Sequence, residues 1–171
     1  MKIRNIQYLI ISGLAFWLFT FATCKYSTKD ISIPVEIKTF RVNYFENKAR
    51  YVNPQLSPQL TEKVKQKIIG QTRLRQTNSE DAHYDISGYV SDYNVTTTGI
   101  ANQAATTNRL SITFHLICKN TLDQTKNIET DVAYSLDFSG QKTLQDVEAA
   151  SLDDILKNLT DAIFNKIFSN W

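Results

Sequence analysis

The stretch RLSITFHLICK, Arg109–Lys119, alternates without a fault: Leu110, Ile112, Phe114, Leu116 and Cys118 point one way, and Ser111, Thr113 and His115 the other. A period of two over eleven residues is the signature of a strand with one buried and one solvated face. A strand of this kind needs partners, and the flanks supply them. Downstream, Asn120–Lys126 is rich in turn formers, and Ile128, Val132, Tyr134, Leu136 and Phe138 then share a face opposite Glu129, Asp131, Ser135 and Asp137. Upstream, Tyr84–Thr96 places Ile86 and Val90 on one face and Tyr89, Tyr93 and Val95 on the other. Three such strands in succession describe an antiparallel meander covered on one side.

Two amphipathic helices provide the cover. Leu56, Leu60, Val64 and Ile68 recur every four residues with Ile69 beside them, a helical stripe. Ser57-Pro58 reads as its N-cap and first helical position, and the helix should end near Gly70–Thr72. The second helix opens at Thr143-Leu-Gln-Asp146, a capping box with Asp in place of Glu. It buries Leu152, Ile155, Leu156, Leu159, Ile163 and Ile167, and Phe164, Phe168 and Trp171 extend that surface. An earlier strand runs from Ile33, where Pro34 suits the first position, to Tyr44. Its alternation changes phase near Lys38–Thr39, which predicts a bulge. The predicted fold is α+β: a four-stranded sheet with two packed amphipathic helices, in the order β-α-β-β-β-α.

The chain begins with a basic head, Lys2 and Arg4, followed by an uncharged apolar run from Ile6 to Ala22 that closes Phe21-Ala-Thr-Cys24. This is the pattern of a secretory signal peptide. The cysteine after small residues resembles the lipoprotein type, in which the thiol is lipidated and the chain is cut before it. Thr23 stands where Gly, Ala or Ser is usual. An uncleaved membrane anchor is the alternative, since the apolar run approaches the ~17–25 residues a spanning helix needs. Both place the rest of the chain outside the cytoplasm. The expected division is 1–23 signal peptide, 24–32 tether and 33–171 a single domain.

Without the signal, seventeen basic and seventeen acidic side chains remain. A neutral exported domain is not a nucleic-acid binder, because that affinity rests on neutralising phosphates. The charges are segregated. Lys48–Arg75 holds seven bases against Glu62 alone, and Asp123–Asp161 holds nine acids against three lysines. This pattern reads either as two opposite faces that support each other or as a basic patch for an anionic partner. Lys63, Lys65, Lys67, Arg73 and Arg75 are the candidate contacts of such a patch. Lys63 and Lys67, one turn apart, weaken their helix slightly as a like-charged pair.

No phosphate-cradling glycine loop, Gly-x-Ser-x-Gly elbow, His-Glu-x-x-His helix or Cys-x-x-Cys pair occurs. His83 falls in a polar turn and His115 on an outward strand face, so both read as ordinary surface histidines. Neither an enzyme, a metal site nor a cofactor is expected. With Cys24 lipidated, Cys118 is left unpaired as a small buried hydrophobe. The segment Tyr93–Asn108 carries no charge and is rich in Thr, Asn, Gln and Ala. It reads as a solvated hairpin end or as a neutral surface fitted to a partner.

Three blocks resemble the LptE family of Bacteroidetes: NYFENKARYVNPQLS (Asn43–Ser57) with PQLTE (to Glu62) and QTRL (Gln71–Leu74); NRLSIT (Asn108–Thr113); and FNKIFSNW (Phe164–Trp171). The resemblance spans essentially the whole mature chain. It implies two helices on a four-stranded sheet, which agrees with the element order above. It also implies an outer-membrane lipoprotein, acylated on Cys24 and facing the periplasm, that plugs the LptD-type β-barrel, helps it fold and contacts lipopolysaccharide (LPS) in transit. The alternative is an anchored periplasmic lipoprotein that binds a small lipid or a different outer-membrane partner.

Overall fold

The structure, a computed structural model, describes residues 33–101 and 104–169. The expected signal peptide and tether, Cys24 and Trp171 lie outside the described residues. The order of elements is β1 (Thr39–Val42), β2 (Glu46–Asn47), α1 (Leu56–Gln71), β3 (Arg75–Gln76), β4 (Tyr84–Ala101), β5 (Ala104–Asn120), β6 (Ile128–Ser139) and α2 (Leu144–Phe168), with one 3-10 turn at Gln124–Lys126. The sheet runs β3-β1-β4-β5-β6, and β2 also pairs with β4. Pairing is antiparallel along β4-β5-β6 and parallel where β1 meets β3 and β4 and where β2 meets β4. Both helices lie on one face: α1 packs on β1 and β3, α2 on β5 and β6, and the helices pack on each other.

The α+β class and the two helices agree with the sequence. The strand count does not, because the sheet has six strands rather than four. The predicted first strand is broken. Pro34–Ile37 is a turn closed by Ile37 N–H donating to the Pro34 carbonyl at 3.0 Å, and it leaves Val35 70% exposed between buried Ile33 and Ile37. The phase change near Lys38–Thr39 therefore marks the exit from a turn, where a bulge was expected. The chain then forms β1, loops through Asn43–Phe45 and forms β2. Phe45 turns inward there, its N–H donating to Thr61 Oγ1 on α1 at 3.0 Å. Two-residue strands such as β2 and β3 are too short to show a period, which is why the sequence conceals them.

The start of α1 also differs. Its N-cap is Gln55, without a side-chain cap bond, and Ser57 lies inside the first turn. The entry is shaped by Asn53 instead, whose Oδ1 accepts from Gln55 N–H at 2.9 Å and whose carbonyl accepts from Leu56 N–H at 3.3 Å. Asn turns of this kind compete with Ser as helix starters. Leu56, Leu60, Val64 and Ile68 are buried as the stripe predicts, whereas Ile69 is exposed. At α2 the capping box is present in full, Thr143 and Asp146 each satisfying the other's backbone.

The inward set of β5 is buried without exception. On β4 the register shifts between Val90 and Asp92. This bulge brings Tyr93 onto the same buried face as Ile86 and Val90, against the alternation of the sequence. The hairpin is longer than predicted, and from Asn94 to Thr98 β4 is exposed on both faces.

Candidate functional site

The five predicted cations fall into two sets by what surrounds them. The three lysines of α1 are engaged by acids: Lys63 with Asp153 at 3.5 Å, Lys67 with Asp161 at 2.8 Å, and Lys65 with Glu62 at 3.9 Å. Asp153 and Asp161 belong to α2, so the charge segregation of the sequence becomes a line of interhelical ion pairs. Lys67 also lies over the Phe164 ring, 5.1 Å from its centroid. For Lys63 and Lys67 the reading of two faces that support each other is the one realised.

Arg73 and Arg75 differ. They follow α1 where the chain enters β3, and both are exposed. With Lys38, Val35 and Ile37 they line an open groove of about 350 Å³ at the sheet edge. The Arg73 guanidinium spends one N–H on the Ile33 carbonyl at 2.5 Å, which fixes its orientation. Two guanidinium groups and an ammonium beside two aliphatic side chains suit an anionic group carried on an apolar body, since guanidinium forks bind oxyanions in pairs of hydrogen bonds. Of the sequence candidates, Arg73 and Arg75 are thus the pair the fold brings together, and Lys38 is the member that sequence reasoning missed. Its place in the groove depends on the 34–37 turn.

The sheet face opposite the helices is the second candidate surface. Its charges are paired across strands. Arg41 grips Asp85 through Nε at 2.9 Å and Nη2 at 3.1 Å, and Asn43 adds a bond at 2.8 Å; the Arg41 guanidinium holds the Asp85 carboxyl below its usual range. Arg109 and Asp137 form a two-bond pair at 2.6 and 2.8 Å. His115 reaches Asp131 at 2.7 Å and Glu129 at 3.2 Å. The Asp131 carboxylate raises the imidazole pKa. Tyr89 stacks on His115 with centroids 5.1 Å apart, and Lys48 lies 4.3 Å above the Tyr89 ring. His115 is therefore the centre of a small network, more than an ordinary surface histidine. The signal was in the sequence, since Arg109↔Asp137 and His115↔Asp131 are register partners of adjacent strands. His83 accepts the Lys38 N–H on Nδ1 at 2.9 Å.

A third cluster had no sequence signal. Glu148, early in α2, accepts from Tyr51 Oη at 3.0 Å, Asn53 Nδ2 at 3.0 Å and Tyr93 Oη at 2.6 Å. Burial and the adjoining carboxylate push the Tyr93 phenol far up. Cys118 is a free buried thiol, pushed up by burial to about 12.

The chain matches the LptE family, described as lipopolysaccharide-assembly, over residues 37–167. No curated protein matches it in sequence. Its fold is similar to that of a minor lipoprotein from Acinetobacter baumannii, at 15% identity and a TM-score of 0.51 over 80% of this chain and 95% of that one. A lipoprotein B from Nitrosomonas europaea gives 9% identity and a TM-score of 0.51 over 77% and 80%. The rare lipoprotein B from Shewanella oneidensis gives 9% and 0.49 over 75% and 92%.

Proposed function

Because this chain belongs to the LptE lipopolysaccharide-assembly family, we propose that it is an outer-membrane lipoprotein that plugs an LptD-type β-barrel and assists its folding during LPS transport. The observation that carries this reading is the extent of the family match, which reaches from the turn before β1 almost to the end of α2.

The surfaces suit the task. The interior of such a barrel is polar, and a sheet face on which Arg41–Asp85, Arg109–Asp137 and His115–Asp131 are already paired enters it with few ions stripped of water and partner. Cys24 carries the acyl chains. Two or more chains hold a domain stably at the inner leaflet, whereas one alone gives marginal binding. Arg73, Arg75 and Lys38 form the contact for anionic groups of LPS, with Val35 and Ile37 under the adjoining apolar part. Lys63, Lys65 and Lys67 stand behind this contact as structural charges.

Affinity purification of a C-terminally tagged full-length protein from gently solubilised envelopes tests the reading. A stoichiometric large β-barrel of the LptD type is the expected result. Its reproducible absence, with the domain still membrane-bound, favours a lipoprotein serving a different partner or a small lipid. Cys24→Ala should move the protein to the soluble periplasmic fraction. Arg73→Glu with Arg75→Glu should reduce LPS retained on the purified protein, with a small fall in thermal stability from the lost Arg73–Ile33 bond; Arg75→Glu alone should weaken retention without that fall, and equal retention by both variants would remove the groove from the mechanism.

A further inference from the structure

One side of β4 is paired with β5 along its whole length, from Tyr84↔Asn120 to Ala101↔Ala104. The other side is covered in pieces. β1 lies against Tyr84–Ile86 and β2 against Tyr89–Val90, both parallel to β4. The Lys48 N–H bond to the Val90 carbonyl, 2.9 Å, closes that line. The Asn47 side chain then turns the chain away, accepting from Ala49 N–H at 3.0 Å. From Asp92 to Gly99, no strand among the described residues lies on this side of β4.

An open edge of this length presents a row of backbone donors and acceptors, and proteins normally guard such rows with charge, proline or brevity. This sheet guards its outermost strands, β3 and β6, that way. β3 has only two residues, one of them Arg75, and β6 carries Glu129, Asp131 and Asp137. The β4 edge from Tyr93 to Thr98 has no charge and no proline, and it consists of Tyr, Asn, Val and three Thr, mostly strong strand formers. Among the described residues, the β3 and β6 edges are thus protected and this stretch of β4 is bare.

We propose that the β4 edge from Asp92 to Gly99 receives an extended, uncharged segment of the β-barrel partner, added as a strand that continues the line of β1 and β2. This inference rests on the plug reading above. The wall of a closed barrel has no free edge to offer, so the incoming strand is a loop or terminal segment lying within the lumen. Recognition is by main-chain hydrogen bonds over eight residues, about 26 Å at the rise of an extended chain. With Asp92 at its end as the one charged side chain of the edge, the contact depends little on salt.

The test places a photo-crosslinking amino acid at Val95 or Thr97 of the full-length protein in cells, with Lys157 on the exposed face of α2 as the comparison site. The expected result is a product with the barrel from Val95 and Thr97, mapped to a loop or terminal segment, and a weaker one from Lys157. Val95→Lys with Thr97→Lys should cut the co-purified barrel roughly tenfold, with thermal unfolding showing that the domain itself is intact. If the barrel co-purifies but Val95 and Thr97 give no product, or one with the wall strands, the edge proposal falls and the plug reading stands. A product joining two copies of this chain overturns it in favour of self-pairing. If no probe or tag recovers a barrel, the plug reading fails and takes the edge proposal with it.

Discussion

Gly88 shows how tightly single residues are specified. It opposes Leu116 on β5, and a Cβ added to it would meet the His115 carbonyl oxygen and two Phe114 ring atoms at 2.5 and 2.7 Å. The glycine lets the buried Phe114 ring lie over the β4 backbone and meet Phe45 edge-on, centroids 4.7 Å apart. A backbone oxygen of a central strand cannot step aside, so Gly88→Ala should destabilise the domain by about 3 kcal/mol, the upper end of overpacking costs. Urea unfolding measures it, and a midpoint unchanged from the native protein would contradict the packing argument. At this scale the sequence was legible wherever a period was unbroken. All five inward residues of β5 are buried, Cys118 among them. It misled at Tyr93, because a bulge inverts every side chain beyond it without leaving a mark in composition.

Among elements, the helices were legible and the short strands were not. A helix of four or more turns repeats its stripe often enough to be read, whereas β2 and β3 are held in place by neighbours in space. The partnership of β5 and β6 has its own chemistry. His115 on β5 gains Asp131 and Glu129 of β6 on folding, and its pKa rises above the ordinary imidazole value of about 6.5. A group whose folded pKa is raised stabilises fully below its unfolded pKa and loses that contribution as pH climbs through the folded value. His115→Gln should therefore lower Tm most at about pH 5.5, with the gap narrowing as pH passes about 6.5 and continues through the raised value. A gap independent of pH would show that the imidazolium contributes nothing.

The whole molecule depends on ties that no local pattern announces. Glu148 draws together the loop before α1, strand β4 and helix α2 through residues 51, 53 and 93, and Tyr93 and Asn53 are both buried. Removing the carboxylate strands two buried donors. Glu148→Leu should then destabilise the domain by about 3 kcal/mol and lower Tm by roughly 10 °C, while Glu148→Gln, which keeps one acceptor oxygen, should lose about a third of that. A calorimetric scan in which both variants match the native protein would refute the tie. Sheet order was hidden for the same reason. The parallel pairing of β1 with β4 joins segments 44 residues apart across α1, and alternation reports which face is buried but not which strand lies alongside. The charge segregation gave half of the candidate site. It marked the cations but was silent on which of them α2 would neutralise.

The position of α2 after the three strands of the meander sets a clock. Nine of its side chains, from Val147 to Phe168, are buried, and they supply the cover of β5 and β6. Until this twenty-five-residue helix has emerged, β5 and β6 carry an apolar face that it alone covers among the described residues. The strands alone leave that face in water, so the polypeptide stays uncommitted until α2 follows them. Order along the chain thus becomes order in time: the strands wait, and the helix that follows them locks them.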